Sequence, residues 1–216
     1  MGDVAARPLR ADAERSVRAV LEAAERVLAE DPGASMEQIA AAAGVARTTI
    51  HRRFANRQSL IEALALSAAR QLAQAVDDGR PDTAPPLVAM HRITANVLQV
   101  KGAWAFALGL PADPDSEAAV LQQDIDRRCV AVLRRAQAEN VIDAAADLEW
   151  VRRVYYALIG ESLRGGAEGP GPDGSDGGGP DGGGPDAGGP GGGGSDPDAL
   201  AARIIDTLLH GAGPRA

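Results

Sequence analysis

Apolar residues recur along most of the chain three and four positions apart, the spacing of a helix. They never alternate over a sustained run as a half-buried strand requires. Val17, Val20, Leu21, Ala24, Val27 and Leu28 form the first stripe, which Asp12 can cap and Asp31-Pro32-Gly33 ends. Ser35 and Gln38 have the spacing of a capping box, so a second, short helix begins at Met36 and stops near Gly44. A third runs from about Arg47 to Phe54. Asn56 can cap a fourth, which continues to about Val76 before Asp78-Gly79-Arg80-Pro81 breaks it. Further helices are predicted over about 86–100, 103–109, 115–139 and 147–164, with breaks at Gly102, Pro111–Pro114 and Asn140–Asp147. Leu200, Ile204, Ile205, Leu208 and Leu209 stripe a last helix before Gly211. The pattern predicts about nine helices and no sheet, an all-α fold.

Composition agrees. Of 216 residues, 44 are alanine and six are aromatic, which favours helix over sheet. A single cysteine leaves no intramolecular disulfide framework and fits a reducing compartment. No apolar run approaches the ~20 residues of a membrane span, and the first residues lack the apolar core of a signal peptide. A cytoplasmic protein with no membrane partner is expected.

The net charge of −8 is unevenly spread. Residues 165–198 hold 17 Gly, 6 Pro and seven acids in 34 positions, with no base and a loose five-residue repeat. Such a stretch has little to bury and is expected to be a disordered linker. Residues 1–64 carry nine Arg against nine acids, yet positions 38–61 contain Arg47, Arg52, Arg53 and Arg57 and no acid at all. A local cluster of this kind says more about partners than the global balance.

That cluster lies in MEQIAAAAGVARTTIHRRFA, residues 36–55. A helix-turn-helix needs a small residue where two helices cross and a glycine at the sharp turn, and Ala40 and Gly44 stand at those places. Ile39, Val45, Ile50 and Phe54 can close a small core beneath the pair. The opposite face of the second helix then shows Arg47, Thr48, His51 and Arg52, with the amides of its N-terminus turned toward a phosphate. A helix hairpin with a merely solvated Arg face is the competing reading, and the joint spacing of Ala40, Gly44, Ile50 and Phe54 disfavours it.

Three N-terminal helices followed by Phe54-Ala-Asn-Arg57-Gln-Ser-Leu60 resemble the TetR family of transcriptional regulators, over about Ala13 to Leu64. The resemblance implies an all-α homodimer with a three-helix DNA-binding head, here residues 1–57. It also implies a helical bundle over 58–216 that binds a small-molecule inducer and dimerises through its last two helices. Two such heads would enter successive major grooves of a pseudo-palindromic operator in double-stranded DNA. Thr49 matches a phosphate-contacting threonine of the family, and Arg57 stands where a phosphate-contacting lysine is usual. Arg47 and Thr48 fall where base-contacting residues lie, and Arg53 is expected on phosphate. Three positions depart from the family pattern: His51 replaces a tyrosine, Arg53 a histidine and Ala46 a capping serine. The resemblance implies a repressor released by its inducer. A protein-interaction module with a vestigial or redirected head is the alternative.

In the second half, five of the six aromatics lie between 104 and 156. A ligand pocket wants apolar and aromatic walls with few polar groups, and Met90, Thr94, Trp104, Gln122, Ile125 and Tyr155 are the candidate walls. Cys129, beside Arg128, reads as a buried inert thiol in preference to an oxidant sensor. The stripes of 147–164 and of the last helix, Ile205 and Leu208 included, could supply a four-helix dimer interface. Enzyme chemistry has little support: His51, His91 and His210 are far apart, no metal-ligand spacing occurs, and Lys101 follows no phosphate-binding glycine loop. No metal or cofactor is expected.

Overall fold

The computed structural model describes residues 6–111, 113–165 and 196–212. Among these it contains nine helices and no strand: α1 (Ala6–Glu30), α2 (Met36–Ala42), α3 (Arg47–Arg53), α4 (Arg57–Asp78), α5 (Pro86–Ala103), α6 (Ala105–Gly109), α7 (Glu117–Ala138), α8 (Leu148–Gly165) and α9 (Pro197–Ala212).

Local chemistry explains most of the boundaries. The capping box before α2 is formed, with the Ser35 hydroxyl accepting from the Gln38 amide and the Gln38 side chain accepting from the Ser35 amide. Asn56 and Ser59 form the same reciprocal pair before α4. Gly44 takes φ +66°, a conformation other residues resist, and so turns the chain from α2 into α3. Gly79 lies so close to α5 that a Cβ there would overlap the Ile93 side chain.

Two apolar cores share one helix. Val20, Leu21, Ala24 and Leu28 of α1 pack with Ile39 and Ala40 of α2, Ile50 of α3 and Phe54 in the first core. The second gathers α5, α7, α8 and α9, with α5 packed against each of the others. Helix α4 runs through both, with Leu60, Leu64 and Ala68 in the first and Leu72 and Val76 in the second. These five stand four residues apart, so one continuous stripe along a rod of about 33 Å ties the halves together.

Four expectations change. Helix α1 begins at Ala6, which leaves Asp12 inside the helix and not at its cap. Gly102 lies within α5, and the break falls at Trp104, whose backbone (φ −129°, ψ 37°) leaves the helical region. Gly165, Pro197 and Asp198 belong to α8 and α9, while the rest of the 165–198 stretch, apart from Asp196, lies outside the described residues. Finally, Val151, Tyr155 and Ile159 of α8 and Ile204, Ile205 and Leu208 of α9 are buried within the protomer. Those stripes serve its own core, because α9 packs lengthwise on α5.

Candidate nucleic-acid interface and internal cavity

Helix α3 is seven residues long and two-faced. Ile50 is fully buried, and Phe54 just beyond it is 6% exposed, so the helix is pinned on one side. Its other side presents Arg47, Thr48, His51, Arg52 and Arg53 to solvent, with Thr49 half-buried at the edge. Ala46 occupies the N-cap in extended geometry and makes no side-chain cap bond. The α3 amides before the first helical bond are therefore left for water or for an anion.

Two features of this face were not legible beforehand. Glu37, in the first turn of α2, places one carboxylate oxygen 2.9 Å from Arg47 and 3.4 Å from His51 Nε2. The Arg57 guanidinium is half-buried and donates to the carbonyls of Pro32 and Ala34, bracing the α1–α2 turn. Arg57 is thus tied to the α1–α2 turn, while Arg52 is open to solvent and Arg53 borders a cleft with Glu14, Arg18 and Glu22 of α1.

A cavity of about 120 Å³ lies between α4, α5, α7 and α8. Gln122, Ile125 and Tyr155 of the candidate set line it, together with Lys101, Asp126 and Cys129. Met90 lines a smaller adjoining space that also touches Tyr155. Thr94 is fully buried, and its hydroxyl lies 2.6 Å from both the Met90 carbonyl and the Tyr155 hydroxyl. Trp104 is not part of this group. The break in α5 swings it into the first core, along a cleft lined by Val17 and Leu21 of α1 and Ala63 of α4.

Burial governs the ionisable groups around the cavity. It pushes the Tyr155 phenol well above its ordinary range, against the Thr94 hydrogen bond. Tyr156 is raised by burial, then by nearby Cys129 and Asp126, and its hydroxyl donates to Asp126 at 3.1 Å. Burial likewise raises the Cys129 thiol, which argues for the inert reading. Sequence spacing held no sign of Asp126 or Tyr156, because they meet across two helices.

A buried carboxylate joins α1 to α6. Glu25 of α1 is 6% exposed and accepts from the amides of Phe106 (2.7 Å) and Ala107 (3.0 Å), at the start of α6. Burial raises its pKa above the ordinary carboxylate value, against the lowering by these two bonds. One signal was available in the sequence: Glu25 lies four residues after Leu21, on the apolar stripe of α1. Among the described residues no group of His, Cys, Asp and Glu could hold a metal ion, and no helix is long and apolar enough to cross a membrane.

An all-helical fold with a short, cation-rich α3 after a glycine turn is that of a helix-turn-helix transcriptional regulator. The family model for bacterial regulatory proteins of the tetR family matches residues 20–64. The HTH-type transcriptional repressor LfrR of Mycolicibacterium smegmatis is 37% identical over 150 residues, which span 68% of this chain and 76% of that protein. The chain belongs to the TetR family. The crystal structure of the TetR-like regulator LfrR from Mycobacterium smegmatis in complex with proflavine superposes with a TM-score of 0.64 at 27% identity, covering 94% of this chain and 98% of that one. The TetR family regulator PfmR from Thermus thermophilus shares the fold at a TM-score of 0.65 and 16% identity, with 91% and 99% covered.

Proposed function

We propose that this chain is a transcriptional repressor that acts as a homodimer on a pseudo-palindromic operator and is released by a small aromatic ligand. The observation that carries the reading is the α3 face. A helix pinned by Ile50 and Phe54 offers Arg47, Thr48, His51, Arg52 and Arg53 outward, with Thr49 at its edge. In this reading residues 1–57 read DNA, residues 58–216 bind ligand and dimerise, and α4 belongs mechanically to both. Arg47 and Thr48 contact bases. Thr49, Arg52 and Arg53 face phosphate, His51 flanks Arg47 beside Glu37, and Arg57 reaches phosphate only by releasing the carbonyls of Pro32 and Ala34.

LfrR has been crystallised with proflavine, a planar aromatic cation. The cavity beside Tyr155 and Tyr156 suits the planar aromatic part of such a ligand, while Asp126 and Lys101 on its wall offset each other in charge. At about 120 Å³ it is smaller than the roughly 300–1,000 Å³ of sites for drug-sized ligands, so ligand entry has to widen it. Lys101, on its wall, lies two residues before the end of α5, and Trp104 and α6 follow directly. Widening therefore displaces α6, and the Glu25 carboxylate carries the displacement to α1.

The test is binding of the purified protein to DNA from its own upstream region, with and without proflavine. Proflavine should weaken the DNA complex, and that DNA should weaken proflavine binding by the same factor, typically about 5–150-fold for a coupled pair of sites. Proflavine binding that leaves the DNA complex untouched would overturn the ligand assignment. Failure to select any duplex sequence would overturn the operator assignment.

A further inference from the structure

The α3 face owes its positive character to a stretch, 38–61, without acids, and the fold returns one acid to it. Glu37 immediately precedes that stretch, and its Oε1 meets both Arg47 and His51. These two residues stand four apart, one turn of α3, so a single carboxylate spans the base-reading side of the helix. The pair is exposed, with side-chain accessibilities of 73% for Arg47 and 42% for Glu37, and exposed ion pairs add little to stability. Its own backbone amide, then His51 and Arg47, hold the Glu37 carboxyl below the ordinary range, so it is charged at neutral pH.

We propose that Glu37 is a specificity-determining residue of the DNA face: it holds Arg47 and His51 on α2 and off the phosphate backbone, and so suppresses binding to sequence-independent sites. The inference rests on the assignment of α3 to DNA. Its physical basis is the difference between the two kinds of partner. A phosphate contact merely exchanges one anion for another on Arg47, and it brings the Glu37 carboxylate toward the charge of the duplex. A guanine edge is a neutral pair of acceptors. Arg47 has five N–H donors, so it can present two of them to guanine while another stays on Glu37. Glu37 thus penalises the phosphate contact more than the base contact.

Glu37→Gln tests this, because it removes the charge and leaves the Ser35–Gln38 capping box intact. Affinity is measured by fluorescence anisotropy for a duplex selected from random DNA and for a scrambled duplex, from 50 to 200 mM salt. The variant should bind the scrambled duplex roughly three- to tenfold more tightly at low salt, and its salt slope should steepen by about 0.9 for each cation freed. Affinity for the selected duplex should change less, so the ratio between the two falls. Glu37→Ala should act in the same direction, and Glu37→Gln should lose its effect in an Arg47→Gln, His51→Gln background. An unchanged ratio and salt slope overturns the proposal. So does a parallel loss on both duplexes, which would make Glu37 a prop for α3. A wild-type protein that does not distinguish the two duplexes overturns the DNA assignment itself, and this inference with it.

Discussion

Ala46 sits at φ −66° and ψ 145°, extended as an N-cap should be, yet its methyl group offers the free amides of α3 nothing. The backbone is therefore already arranged for a hydroxyl that the sequence lacks. Ala46→Ser should stabilise the protein by about 1 kcal/mol without rearrangement, read as a higher urea midpoint at unchanged slope. An unchanged midpoint would mean that water satisfies those amides as well as serine does. If the proposed phosphate contact uses these amides, serine would occupy one of them, so affinity for DNA should fall while stability rises. Glu37 belongs to the same scale. Helix spacing shows which residues of α3 face outward, but nothing in it shows that a residue ten positions earlier takes two of them.

The α1–α6 contact is the clearest case in which elements meet through one side chain. Removing the Glu25 carboxylate with Glu25→Ala orphans the amides of Phe106 and Ala107, at a cost of roughly 1–3 kcal/mol for each that stays dry. Glu25→Gln keeps one acceptor and should cost less. Its pH response separates charge from shape. Burial raises the folded-state pKa above the unfolded one, so the folded protein binds the proton more readily. The Glu25 contribution to stability therefore falls as pH rises from the unfolded value toward the raised one. Urea midpoints followed across that window should show this slope in the wild type and lack it in Glu25→Gln. Identical slopes would place the desolvation elsewhere. Elements of this chain were legible where their signals are local: Ser35, Gly44 and Asn56 set boundaries through bonds of three or four residues. The break in α5 was misplaced because Gly102 tolerates helical geometry, and Trp104 leaves it only to reach the head core. Contacts such as Glu25 to Phe106, 81 residues apart, are fixed by packing and leave no spacing to read.

At the scale of the whole molecule, the apolar stripes of α8 and α9 suggested a dimer seam. Val151, Tyr155, Ile159, Ile204, Ile205 and Leu208 of those stripes are buried in the protomer's own core, with the leucines beside them only partly buried. Charge at Ile205 or Leu208, 1% and 2% exposed, would unfold the protomer and report nothing about assembly. If the proposed homodimer forms through α8 and α9, it must use another face of these helices, where Ala157 of α8 and Ala202 of α9 are exposed. Small residues there would let two helix pairs approach closely. Placing Asp at both positions adds two charges per protomer, four across a two-fold seam, without touching either core. Sedimentation should then show a monomer whose helical circular dichroism and urea midpoint match the wild type. Operator binding should collapse, because a lone head retains only half of the contacts. A dimer that survives both charges refutes this face. A monomer that still holds the full operator with wild-type affinity would show that two heads are not required.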